Sequence, residues 1–226
     1  FTPNAGFSGL ASVDYTIQDS HGAESTATIY ITVNPVNDAP IANADSGSTD
    51  ENAAITLDVL ANDTDVDVGD IRTVDSVSVT NGLGVAGIVA NEVEWTPGTD
   101  YDYLAVGQTA TVELAYTMSD SVGASSSSTV TITVIGSNDG PIAVDDMATT
   151  DEDTPVTLFK SIGFANDTDV DSDDDSSTFQ AVNALNPVNG TISFDVSGEL
   201  VFTPNAGFSG LASVDYTIQD SHGAES

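Results

Sequence analysis

A chain of 226 residues with 36 Asp and Glu against two Lys and Arg carries a formal net charge of −34, which argues against nucleic acid and anionic lipid as partners because almost nothing is left to meet a phosphate. Hydrophobic residues make up 39%, enough for a packed core and too many for disorder, while the absence of cysteine removes disulfides, thiolate metal sites and thiol nucleophiles together. No run of about 18 apolar residues occurs, so no membrane-spanning helix is expected.

Phe1–Ser25 reads FTPNAGFSGLASVDYTIQDSHGAES and recurs letter for letter at Phe202–Ser226, 201 residues on. Self-similarity at a fixed period marks an array of domains. From Tyr15 a weaker repeat aligns without gaps to the stretch from Tyr116, an offset of 101, so the long period holds two sister domains of about a hundred residues each. Ala27, Ile29, Ile31 and Val33 alternate with polar residues, predicting a strand. The linker Asn37-Asp38-Ala39-Pro40 follows and recurs as Asn138-Asp139-Gly140-Pro141. Ile55, Leu57 and Val59 mark a further strand, and Val130, Ile132 and Val134 repeat the earlier alternation. Trp95, Phe202 and Phe208 read as core, and Tyr15, Tyr116 and Tyr216 each stand on a penultimate strand four residues before an Asp turn. The fold class expected is all-β, a tandem of Greek-key β-sandwiches of immunoglobulin or cadherin type. Residues 1–37 are expected to be the last part of one sandwich, 38–138 a complete one, and 139–226 a third lacking its last strand, the equivalent of Thr26–Val33. The orphan segment 1–34 suggests head-to-tail pairing with another copy.

The sharpest motif is Asn62-Asp63-Thr64-Asp65-Val66-Asp67, repeated as Asn166-Asp167-Thr168-Asp169-Val170-Asp171. Alternate residues of an extended chain point one way, so three carboxylates converge. A hard divalent cation bound by oxygen relieves their repulsion, and calcium suits such a set better than magnesium. An EF-hand is excluded, because the twelfth positions from Asp63 and Asp167 are Val74 and Thr178 rather than Glu. In a Greek key the acidic run and the turn holding Asp120 share a pole with Asn37 and Asp38. Glu51, Asp100 and Asp102 then face the other linker, with Asn138, Asp139, Asp167, Asp169, Asp171 and Asp220; Glu152 is the last domain's copy of Glu51. Asp174 and Asp175 read as solvated.

VNDAPIANADSGSTDENAAITLDVLANDTDVD, EDTPVTLFKSIGFANDTDVDSDDD and FTPNAGFSGLASVDYTIQDSHG resemble the cadherin-like, immunoglobulin-like tandem repeats of giant bacterial surface adhesins, including the extender regions of RTX adhesins. The resemblance implies calcium-rigidified extender modules, secreted to the bacterial cell surface by a type I system, whose partners are neighbouring repeats of the same chain. The linker also resembles the cadherin junction, with Asn37-Asp38 and Asn138-Asp139 at the positions of its calcium ligands. Val68 and Ser172 depart from it, standing where such repeats commonly have Gly, as do Gly140 in place of Ala and a three-residue insertion before Asn166.

No enzyme is expected. His21 and His222 are one repeat position, replaced by Val122 in the sister copy, and a single turn histidine is a poor basis for catalysis. A Lys–Asn crosslink has one candidate, Lys160, with no counterpart in the complete domain. The alternative reading is a carbohydrate- or protein-binding sandwich that uses the Gly98–Thr109 loop, about seven residues longer than its sister, with Tyr101 and Tyr103 as its platform.

Overall fold

The computed structural model describes residues 1–158 and 163–226, and every regular element in them is a strand. Lys160 lies outside the described residues. The chain opens with an antiparallel hairpin, β1 (Gly9–Gln18) and β2 (Glu24–Val33), in unbroken register from Gly9↔Val33 to Gln18↔Glu24. The Asp19 carboxylate closes its turn by accepting the N–H groups of His21 and Ala23 at 2.8 and 2.9 Å, the usual work of Asp in a turn.

Seven strands follow in the central domain: β3 (Asp45–Asp50), β4 (Ile55–Leu57), β5 (Thr73–Asn81), β6 (Val85–Val89), β7 (Glu92–Thr96), β8 (Thr109–Ser119) and β9 (Ser125–Ile135). They form two sheets, β3-β9-β8-β5 and β4-β7-β6, the expected sandwich. Period-two alternation decides which side chains face inward. Val112, Leu114, Tyr116 and Met118 come from β8, Val130, Ile132 and Val134 from β9, and Val93 and Trp95 from β7; all are buried in one cluster. The Trp95 indole N–H is satisfied by the Leu83 carbonyl at 3.1 Å, as a buried indole requires. β3, DSGSTD, has no apolar residue and takes an edge, parallel to β9.

The last domain contains β10 (Val156–Thr157), β11 (Gln180–Val188), β12 (Gly190–Phe194), β13 (Leu200–Pro204) and β14 (Ser213–Gln219), in sheets β10-β13-β12 and β11-β14. Its core is smaller, built on Phe164, Phe179, Leu200 and Ile218. Phe202 is buried and Phe208 only half so. Residues 145–151, which correspond to β3, form no strand.

Chain direction places the connections. The acidic loop 58–72 and the turn 120–124 meet the linker at one pole: Ile41 and Thr64 exchange backbone hydrogen bonds at 2.7 and 3.1 Å. The turn after β3 and the loop 97–108 meet the next linker at the opposite pole, where Gly136 N–H donates to Gln108 C=O at 3.0 Å.

Candidate metal centre

The bridge of Ile41 to Thr64 lays the acidic run alongside the linker, and alternation then sorts its carboxylates. Asp63 turns into the domain, where it is 4% exposed and accepts the Asn43 N–H at 2.6 Å and the Tyr116 hydroxyl at 3.1 Å. It therefore does not join the other two acids of the run. Asp65 Oδ1 accepts the Asp67 N–H at 2.9 Å, and Asp67 Oδ2 accepts the Asp38 N–H at 2.7 Å. Asn37 Nδ2 donates to Asp120 Oδ2 at 2.7 Å. The other Asp120 oxygen accepts the N–H groups of Val122, Gly123 and Ala124. The Asn37 amide and these backbone donors hold the Asp120 carboxyl below the usual carboxylate range.

One domain later most of the network recurs, although the Tyr216 hydroxyl, the counterpart of Tyr116, donates to Asp146 at 2.9 Å. Ile142 bridges Thr168, and Asp167 turns inward to accept the Val144 N–H at 2.7 Å. Asp169 accepts the Asp171 N–H at 3.0 Å, Asp171 accepts the Asp139 N–H at 2.9 Å, and Asn138 donates to Asp220 at 2.9 Å. Burial acts upward on Asp220, but Asn138 and the N–H groups of Ala224, His222 and Gly223 outweigh it and hold its pKa below the ordinary value.

This second junction also receives groups from the central domain. Glu51 is 0% exposed; its Oε1 accepts the Ser137 N–H and hydroxyl at 2.8 and 2.9 Å, and its Oε2 has no partner. Five further oxygens here are buried without a hydrogen bond: Asp102 Oδ1, Asn138 Oδ1, Asp139 Oδ2, Asp169 Oδ2 and Asp171 Oδ1. Burial raises the Asp139 pKa, with Asp102 and Asp50 adding to it. Asp171, 2% exposed, is pushed up to about 6, chiefly by burial and then by the charges of Asp169, Asp139 and Glu51. Among the described residues no lysine or arginine pairs with these acids; the ion contacts there are His222 with Asp173 and Asp174, at 3.8 and 3.5 Å. Buried acceptors without donors are costly, and an all-oxygen set of carboxylates with one amide carbonyl fits a hard divalent cation. The residues that could hold one are Asp169, Asp174 and Asp220, whose ligand atoms lie within 4.8 Å of one another, with Glu51, Asp102, Asn138, Asp139 and Asp171 as further oxygen donors at the junction.

Other sequence-derived candidates stand apart. Asp100 is exposed and accepts the Gly84 N–H at 3.0 Å, so it fastens a turn of its own domain. Glu152 is exposed. Asp38 lies at the first junction, where Asp65 Oδ2 is the buried oxygen without a partner. Two acids were missed. Asp70 lies with Asp65 and Asp67, and Asp174 with Asp169 and Asp220, each trio having ligand atoms within 4.8 Å of one another. Asp174, expected to be solvated, is 7% exposed and accepts the Ser221 N–H and hydroxyl at 3.1 and 3.0 Å. A signal was present: both acids follow the run at the same spacing, three residues after Asp67 and Asp171.

Residues 1–32 and 138–226 match the family model for the bacterial Ig domain, more than half of the chain, and residues 37–136 match that for the bacterial cadherin-like domain. This chain belongs to the bacterial Ig family, with a cadherin-like domain at its centre. Solved structures similar to this Ig–cadherin tandem are cadherin ectodomains. The protocadherin GammaB4 extracellular domain is 20% identical with a TM-score of 0.55, the match covering 96% of this chain and 36% of that one. Mouse protocadherin-24 EC1–3 is 17% identical with a TM-score of 0.52, covering 98% and 78%. At these identities the likeness is one of fold. The tandem spans about a third of the length of the GammaB4 ectodomain. No curated protein sequence matches it.

Proposed function

We propose that this tandem is a calcium-binding extender module of a bacterial surface adhesin, secreted to the cell exterior, in which Ca2+ at the junctions stiffens an array that projects an adhesive tip for attachment or biofilm formation. One observation carries the reading: buried oxygens without a hydrogen bond occur on the turn after β3, the β7–β8 loop, the linker and the next domain's acidic loop, elements joined by the Ser137–Glu51 and Asp139–Asp171 hydrogen bonds. These groups belong to two domains, so a cation bound among them would tie the domains together and offset their mutual repulsion. The match to bacterial Ig and cadherin-like families supports this reading.

The rival use of the Tyr101–Tyr103 loop for carbohydrate or protein binding has less support. Tyr101 is 3% exposed and packs edge-on against Trp95 at 5.8 Å, leaving Tyr103 as the one accessible ring of the pair. Self-association remains part of the proposal. A light-scattering mass that stays monomeric at high concentration would remove that part.

Thermal melting in EDTA, in millimolar calcium and in magnesium tests the main reading. At free calcium a hundredfold above its dissociation constant one site adds about 2.7 kcal/mol. A rise specific to calcium is expected; equal melts in all three conditions would overturn the proposal.

A further inference from the structure

The β7–β8 loop, residues 97–108, makes a second connection across the junction that needs no ion. It is bolted to the central core: Leu104 and Ala105 are 4% and 1% exposed, Leu83 N–H donates to the Tyr101 hydroxyl at 2.8 Å, and Gly136 N–H donates to Gln108 C=O at 3.0 Å. Gly136 lies so close beneath the loop that a Cβ there would stand 2.3 Å from Leu104 O and 2.4 Å from Ala105 O. From this base the outer side of the loop reaches the following domain. Ser172 N–H donates to Tyr103 C=O at 3.0 Å, and the Ser172 hydroxyl donates to Gln108 Oε1 at 3.0 Å. Ser172 is the residue directly after the acidic run, whose position in the central domain is held by Val68, fully exposed. At that earlier junction the facing loop is shorter, and Gly6 lies against the Val66 side chain instead.

We infer that the 97–108 loop is a metal-independent clasp, an interaction surface that fits a following domain with Ser after its acidic run and discriminates against one with Val. Exposed hydrogen bonds contribute little when flexible groups must be ordered to make them. Here the Tyr103 carbonyl sits on a loop already held by the core, so little order is lost in making that bond, while the exposed Gln108 side chain must be ordered to make the second. The same loop carries Asp102, so the clasp also sets where that carboxylate meets the linker. The array therefore has two kinds of joint, one clasped and one not.

The chain contains no cysteine, so Ser78→Cys with Ser193→Cys, both exposed, gives one defined pair for spin labelling across the joint. Distance distributions are measured on the 226-residue chain in EDTA with added salt to screen the carboxylates. The parent is expected to show one narrow population. Ser172→Pro removes both donors, and the fraction of open joints is expected to rise roughly tenfold or more, the factor that two net hydrogen bonds supply. Ser172→Val, which imports the sister residue, and Gln108→Ala each lose only the side-chain bond and are expected to rise by about threefold. Both keep the backbone donor and guard against a Ser172→Pro variant that fails to fold. Gly136→Ala, which displaces the loop from beneath while leaving Ser172 and Gln108 unchanged, is expected to follow Ser172→Pro. Distributions in EDTA that are identical for the parent, Ser172→Val and Gln108→Ala would overturn the clasp. The calcium reading is scored separately, by whether calcium narrows the distributions of the variants that have lost clasp bonds.

Discussion

Asp63 and Asp171 show how one residue type takes opposite roles in the same motif. Asp63 is enclosed by donors from its own domain, and Tyr116, whose hydroxyl also reaches Asn43 C=O at 3.0 Å, is the keystone of that arrangement. Tyr116→Phe keeps the ring in the core but strips buried acceptors of their donor; a loss of about 1–3 kcal/mol is expected, read by denaturant melting in saturating calcium, with no change in calcium affinity. Asp171 is buried with too few donors, and its pKa of about 6 exceeds the ordinary 3.8. Asp139 and Asp169 are raised as well, by burial first. A carboxyl that binds its proton more tightly folded than unfolded destabilises the fold above its folded pKa, and that penalty is relieved as pH falls through about 6 toward 3.8. The depressed acids Asp120 and Asp220 act in the opposite sense, contributing stability that is lost only as pH falls below their ordinary value. In EDTA the melting temperature should therefore rise between pH 7 and about 5 before falling in stronger acid, while calcium stabilisation weakens over that first interval. A melting temperature that falls steadily from pH 7 in EDTA would contradict the burial described for these acids.

At the scale of elements, the loops carry the candidate site because the strands hold them in place. The Asp65–Asp67 stretch hangs from the Ile41–Thr64 bridge and can lose charge without touching the core. Asp65→Asn with Asp67→Asn is expected to lower calcium stabilisation at the first junction while near-ultraviolet dichroism of the sandwich stays unchanged in saturating calcium; loss of the fold there would contradict a junctional role. Gly84 supports the opposite pole. Its φ is +88°, and a Cβ would stand 2.7 Å from the Trp95 indole nitrogen. Gly84→Ala should cost about 1–3 kcal/mol through strain and overpacking, visible as a shifted denaturant midpoint and altered Trp95 fluorescence. Asp100, which accepts the Gly84 N–H, belongs to that same turn.

Over the whole molecule, a formal charge of −34 is distributed so that repulsion concentrates at the joints rather than in the sandwich cores. Small-angle scattering should separate two regimes. In EDTA at low salt the domains are expected to sample many mutual angles, and calcium should collapse that ensemble to a single elongated shape. Salt without calcium should reproduce only part of the change, because screening weakens repulsion within a Debye length of about 10 Å at 0.1 M but supplies no ligand bridge. Identical scattering with and without calcium would mean that the acids leave the joints unaltered.

Sequence alone determined the all-β class and the internal repetition, because alternation, turn residues and exact repetition are local properties of a chain. The alternation of Val112, Leu114, Tyr116 and Met118 is legible without coordinates, and so is the repeated spacing of the aspartates. Tertiary structure decided which oxygen of which acid is satisfied. Asp63 and Asp65 differ by two residues, yet only Asp63 meets Tyr116, which lies 53 residues away in sequence. Tyr101 and Tyr103 differ by two as well, and only packing against Trp95 makes one of them core. Asp174 becomes buried because Ser221, from a different turn, closes over it. Hydrogen-bond satisfaction and desolvation depend on neighbours brought together by the fold, and sequence spacing does not encode those distances.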